Sequence, residues 1–279
     1  MTELKVKPKI DIAFKKIFSE NLDLLRSLIS AALEIKVENV TLKPGEVTPS
    51  NADEKFCRLD VRAEADGKEI DIEIQRFDRD DYRARAEYYS SLMFARLPKG
   101  KKYNEIPQTI LINILDYKAF ESEDYHSMFL TMEANRHEIL TNKKVTHFFE
   151  LRKIPSLANA TKDIEFWLNL IKADFEEQIE ELDENAPFQE IKKAVGEVKR
   201  INRDKKFIWQ VEAREVQERE EMSALSAAHD KGREEGREEG ALERAFNIAR
   251  SMINDKLPLE TIAKHTGLSV KEIESLQRK

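Results

Sequence analysis

The sequence predicts an α/β fold: a mixed central sheet in the order α-β-β-α-β, continued by a helical C-terminal extension. Three observations carry this. Asp66-Gly67 joins two stretches of alternating polar and apolar residues, the pattern of a tight hairpin. Thr109-Ile110-Leu111-Ile112-Asn113-Ile114-Leu115 is a nearly unbroken apolar run, as in a strand covered on both faces. From Thr161 onward the apolar residues recur at helical spacing.

In chain order, Ile10, Ala13, Phe14, Ile17, Phe18, Leu22, Leu25, Leu28, Ile29 and Leu33 mark a helical face with a break near Ser19-Glu20-Asn21. Residues 35–55 read as a short extended piece and a loop with Pro44-Gly45 and Pro49. After the hairpin a helix is expected from Asp80 to Leu97, capped by Asp80 or Asp81 and stopped by Pro98-Lys99-Gly100. Thr146 to Leu151 is a candidate for another strand. Residues 206–229 are helical and rich in alternating charge. Gly232, Gly236 and Gly240 then fall along one helix face, each costing up to about 1 kcal/mol against alanine. A close helix partner or a flexible joint would explain them. Residues 257–273 suggest two short helices around Gly267, a pattern that serves either DNA binding or assembly. The second of these helices offers few basic residues. These shifts suggest a core over residues 1–160, a helical extension over 161–230 and a glycine-repeat tail over 231–279.

Composition narrows the function. The chain has 279 residues, 36% of them charged, with a net charge of −7, so any attraction to nucleic acid must come from a local basic surface. Cys57 is the single cysteine, on the expected apolar face of the hairpin, which fits a reducing compartment and a cytoplasmic location. The charged start lacks an export signal, and no apolar run is long enough for a membrane span. The five histidines show no metal-ligand spacing.

The hairpin supplies the chemistry. A two-residue turn pairs Ala65 with Lys68, Ala63 with Ile70, Val61 with Ile72 and therefore Asp60 with Glu73. Leu59, Val61, Ala63, Ile70, Ile72 and Ile74 then share a face for the core. Arg58, Asp60, Arg62, Asp71, Glu73 and Gln75 share the other. Opposed Cβ atoms lie about 5 Å apart, so Asp60 and Glu73 are placed to grip one hard cation such as Mg²⁺, with Mn²⁺ as a substitute. The backbone carbonyl of Ile74 is a further oxygen ligand. Gln75 is placed to orient a water or phosphate, but a neutral amide takes up no proton. The same alternation also describes a solvated sheet face, with Arg58 and Arg62 available as ordinary ion-pair partners. Asp71 has a partner in Arg62 and ranks below Glu73 as a ligand.

Several segments together resemble the PD-(D/E)XK nuclease family transposases, also called recombination-promoting nucleases. They are Asp11-Ile12-Ala13-Phe14-Lys15-Lys16-Ile17-Phe18, Arg58-Leu59-Asp60-Val61, Ile70-Asp71-Ile72-Glu73-Ile74-Gln75, Arg85-Ala86-Glu87-Tyr88-Tyr89-Ser90, Ile110 to Leu115 and the glycine-repeat tail. The resemblance implies a restriction-endonuclease-like core and metal-dependent cutting of DNA that promotes recombination. It makes Asp60 and Glu73 the acidic pair of the motif and sets Gln75 where most of the superfamily has lysine. It also implies that Asp11 or Lys15 lies at the mouth of the site, although an i,i+4 surface pair accounts for both. Arg85 and Tyr89 share a helix face suited to holding DNA phosphate, and Arg76 and Arg79 are additional phosphate candidates. The expected partner is DNA, cut by a homo-oligomer where both strands are cleaved. The alternative is a non-catalytic nucleic-acid-binding or assembly protein on the same core.

Overall fold

The computed structural model describes residues 1–47, 57–78, 81–95, 100 and 102–277. The chain divides into two compact units, Met1–Glu212 and Ala213–Lys279. Arg79 and Asp80, Pro49 and the Pro98-Lys99 pair lie outside the described residues, and Cys57 and Arg58 are described in backbone only.

The first unit opens with α1 (Asp11–Glu20) and α2 (Leu22–Leu33), broken where the spacing predicts. Asn21 leaves the helical conformation, and its side-chain amide donates to the Ile17 carbonyl at 2.9 Å. The strands are β1 (Val40–Leu42), β2 (Glu46–Val47), β3 (Cys57–Arg58), β4 (Val61–Ala65), β5 (Lys68–Gln75), β6 (Thr109–Leu115), β7 (His126–Met132) and β8 (Ile139–Glu150). Six of them form one sheet in the order β1-β4-β5-β6-β8-β7. The β5-β6 and β6-β8 pairs are parallel and the others antiparallel, so the sheet is mixed as expected.

Both faces are covered. One face sets Val61, Ala63, Ile70, Ile72, Ile74, Ile112 and Phe149 against Phe14, Phe18, Leu25 and Leu28. The helices α4 (Asp163–Lys172), α5 (Glu176–Glu184) and α6 (Gln189–Ile201) join this core through Trp167, Ile179 and Val195. On the other face α3 (Tyr82–Phe94) lays Tyr82 and Ala86 on Leu111, Leu115 and Phe148. All of β6 is buried between these layers, which explains its continuous apolar run. This mixed sheet with helices on both faces is the restriction-endonuclease-like architecture.

The turn has the expected geometry. Asp66 and Gly67 take φ values of 46° and 76°, the paired positive angles of a type I′ hairpin. The Asp66 carboxylate also accepts the N–H groups of Glu38 and Asn39 at 2.9 and 3.0 Å, tying the lead-in to β1 onto the turn. The strand expected at 146–151 is the end of a longer one, and β7 had no sequence signal. Most of β7 and the first half of β8 is exposed or half-buried, so no core imposes a regular alternation there.

In the second unit α7 (Lys205–Asn254), which begins in the first, is helical throughout, glycines included. A Cβ added at Gly232, Gly236 or Gly240 would meet nothing within 4 Å, so no close partner among the described residues explains the repeat. Next come α8 (Leu259–Thr266) and α9 (Val270–Gln277), the two short helices expected there. Gly267, with φ 73°, ends α8, while Ala249, Ile262, Leu268 and Ile273 form a small core. Ser269 and Glu272 cap α9 reciprocally, the Ser269 N–H donating to the Glu272 carboxylate at 2.7 Å. No helix among the described residues is long and apolar enough to cross a membrane.

Candidate active site

Asp60 and Glu73 meet just beyond the paired part of the hairpin. Observed pairs run from Ala65↔Lys68 to Arg62↔Asp71 and Val61↔Ile72, as the turn length dictates. The ladder stops there, and Asp60 occupies a bend just before β4. The side chains complete what the backbone leaves unpaired. The Asp60 N–H donates to Glu73 Oε1 at 2.9 Å, and the Ile74 N–H donates to Asp60 Oδ2 at 3.1 Å. Each carboxylate is thereby anchored to the other's segment. In a strand the N–H and C=O of one residue point to the same edge, so the Ile74 carbonyl also faces the Asp60 side.

The bend has a second effect, which corrects the expected alternation. Leu59 leaves the face of Val61 and Ala63 and packs with Met93, Tyr89 and Leu92 of α3. Breaking the extended backbone at Asp60 resets the two-residue period, so Leu59 falls on the side that α3 covers.

The polar face of β5 is not solvated. Asp71, Glu73 and Gln75 are 0%, 4% and 9% exposed. Asp71 does not pair with Arg62, which reaches diagonally to Glu69 at 3.2 Å instead. Among the described residues no N–H or hydroxyl group donates to either oxygen of Asp71, and its neighbour is the Glu73 carboxyl. Burial, followed by the charge of Asp60, pushes the Asp71 carboxyl well above the usual carboxylate range. Glu73 is raised in the same way, by burial, then by Asp71 and Asp60. Burial and mutual repulsion thus push both carboxyls toward the neutral form, while the Arg62 and Lys15 charges act in the opposite direction on Asp71.

Cations and amides frame this cluster. Lys15 extends from α1, and its Nζ lies 2.7 Å from Asp60 Oδ1. Arg85 Nη2 donates to Gln75 Oε1 at 2.8 Å, and Gln75 Nε2 donates to the Phe77 carbonyl at 3.2 Å. The Arg85 guanidinium lies over the rings of Tyr82 and Tyr89, at 4.9 and 5.7 Å from their centroids. Arg76 lies in the connection after β5 with its guanidinium over Phe77, and Arg79 is outside the described residues. Two further residues escaped the sequence reading. Tyr82 donates to Asn113 Oδ1 at 2.8 Å, and Asn113 Nδ2 donates to the His147 carbonyl at 3.0 Å. Asn113 pairs with Glu73 in the β5-β6 ladder, and burial followed by the Glu73 charge raises the Tyr82 hydroxyl. The available signal was an asparagine inside an apolar strand, which must be satisfied when buried.

A family model of the PD-(D/E)XK nuclease family transposases matches residues 8–228, most of the chain. The chain belongs to this family. A second model, the C-terminal HTH domain of the Rpn/YhgA-like nuclease family, matches residues 242–278, the stretch holding α8 and α9. No curated protein and no solved structure matches the chain. The family is one of nucleases, and its chemistry normally uses a divalent metal. Among the described residues no three histidine, cysteine or acidic side chains are gathered closely enough to hold an ion. Asp60 and Glu73 still make a two-carboxylate set of the kind that holds Mg²⁺ with water and phosphate oxygens. The undonated oxygens of buried Asp71 beside them make the surroundings favourable to a cation.

Proposed function

We propose that this PD-(D/E)XK family member is a Mg²⁺-dependent DNA endonuclease, with Mn²⁺ as an alternative cofactor, whose strand breaks promote recombination. The reading rests above all on the reciprocal anchoring of Asp60 and Glu73, in which each carboxylate accepts a backbone N–H from the other's segment at the open end of the hairpin. Asp60, Glu73 and the Ile74 carbonyl would hold the metal. Bound there, it would neutralise the scissile phosphate and lower the pKa of a water. Gln75 would orient the attacking water, with its own amide fixed by Arg85 and the Phe77 carbonyl. As Gln75 is no base, the proton passes to bulk water or a substrate phosphate. Lys15, Arg76, Arg79, Arg85 and Tyr89 are the candidate DNA contacts. Because Arg85 is already committed to Gln75, its first task is positioning. The proposed setting is the cytoplasm, and cutting both strands calls for two copies acting together.

The second reading, a non-catalytic nucleic-acid-binding or assembly protein, is favoured by the lack of a three-ligand group among the described residues. Incubation with supercoiled DNA and Mg²⁺ or Mn²⁺ separates the two. We expect nicking by the wild type and none by Asp60→Ala/Glu73→Ala. Equal nicking by both proteins would remove the assignment.

A further inference from the structure

Lys15 carries more than a surface charge. Helix α1 buries Ala13, Phe14, Ile17 and Phe18 against the core, and this fixes where Lys15 leaves the helix. The ammonium ends 2.7 Å from Asp60 Oδ1, with the lysine side chain 28% exposed and that of Asp60 14% exposed. Its charge also acts on the buried Asp71 carboxyl, which it pulls downward against the effect of burial. The other oxygen of Asp60 is occupied by the Ile74 N–H.

Among the described residues, Gln75 and Arg85 are a further amide and a further cation at the cluster, and both are committed. Gln75 is an amide held at both ends, and the Arg85 guanidinium is hydrogen-bonded to it and lies over two tyrosine rings. A backbone phosphate arriving here meets Asp60, with the acidic groups of Asp71 and Glu73 buried behind it. More negative charge develops on its oxygens as the bond breaks, and a preplaced cation stabilises that charge. Lysine suits the task, because its ammonium is a point charge on a flexible stem. A divalent ion on Asp60 replaces the ammonium as counter-charge, so Lys15 leaves without stranding an unpaired carboxylate.

We propose that Lys15 is the mobile ammonium of the site: it neutralises Asp60 in the metal-free protein and turns to a non-bridging oxygen of the scissile phosphate when a divalent ion engages Asp60. This rests on the nuclease reading above. No bond forms or breaks in the exchange; one ion pair replaces another.

Two readouts on the full chain test it. Mn²⁺ binding, followed by calorimetry or electron paramagnetic resonance without DNA, is compared for wild type, Lys15→Met and Lys15→Arg. Removing the competing ammonium should tighten Mn²⁺ binding by about five- to tenfold in Lys15→Met, the low end of usual coupling between sites, and much less in Lys15→Arg. Nicking at saturating Mn²⁺ should fall in kcat for Lys15→Met and be partly kept by Lys15→Arg. Unchanged Mn²⁺ affinity in Lys15→Met would overturn the proposal, and so would tightened affinity with full nicking. Matching thermal melts keep a folding defect from imitating the effect, and Lys15→Arg serves if Lys15→Met melts early. A wild type that binds Mn²⁺ but never nicks DNA would defeat the nuclease reading, while the metal titration would still decide the role of Lys15 as counterion.

Discussion

His147 shows how the sheet sets the properties of single residues. It is buried on β8, its Nδ1 lies 2.9 Å from His126 Nε2, and burial, then the charge of His126, lowers its pKa from 6.5 to about 4. Burial lowers His126 as well. An unfolded chain takes up these protons at higher pH than the folded one. Stability is therefore present above pH 6.5 and lost as pH falls toward about 4, by at most about 3 kcal/mol for His147. Chemical denaturation between these pH values should show a slope that flattens in His126→Gln/His147→Gln. An unchanged slope would reject this account. The acidic cluster teaches the same lesson from the other side. Asp71 and Arg62 are direct cross-strand neighbours, so a reading by spacing pairs them. Arg62 instead takes the diagonal neighbour Glu69, whose side chain keeps 18% of its exposure, and leaves Asp71 buried beside Glu73. Spacing names which groups can meet; burial decides which of them do.

Among the elements, the hairpin is where the site is made. Its register follows from a two-residue turn with both central φ angles positive, so position 67 needs a residue that tolerates φ 76°. Open space surrounds a Cβ there, and the cost of Gly67→Ala is backbone strain alone, about 1–2 kcal/mol. We expect a lower urea midpoint with unchanged m-value; equal stability would show that the turn does not fix the hairpin. The strands and helices with a clear period were legible, including the break at Asn21 and the buried β6. The β7-β8 ribbon was not, because its exposed residues carry no alternation that a core would enforce. Leu59 was misplaced for a related reason: a two-residue period assumes a continuous strand, and the backbone bends at Asp60.

At the level of the whole molecule, the net charge of −7 makes local compensation the condition for binding DNA. The first unit holds the acidic cluster, and a ligand that binds only the folded form raises apparent stability in proportion to its occupancy. Saturating Mn²⁺ should therefore raise the melting temperature of the wild type by a few degrees, about 1–3 kcal/mol at 10–100 times Kd. Asp60→Ala/Glu73→Ala should lose this shift. Equal shifts in both proteins, followed by differential scanning calorimetry, would place the ion elsewhere.

The sequence alone determined the opening helices, the hairpin with its register from Val61↔Ile72 to the turn, and the buried strand β6. Each depends on local periodicity and on a turn whose conformation two residues dictate. Only the tertiary structure decided that Asp71 is buried without a donor, that Lys15 reaches Asp60 from α1 and that Arg85 holds Gln75. Those contacts join residues far apart along the chain, and packing of helices onto both faces of the sheet sets them. No spacing within the sequence encodes that distance.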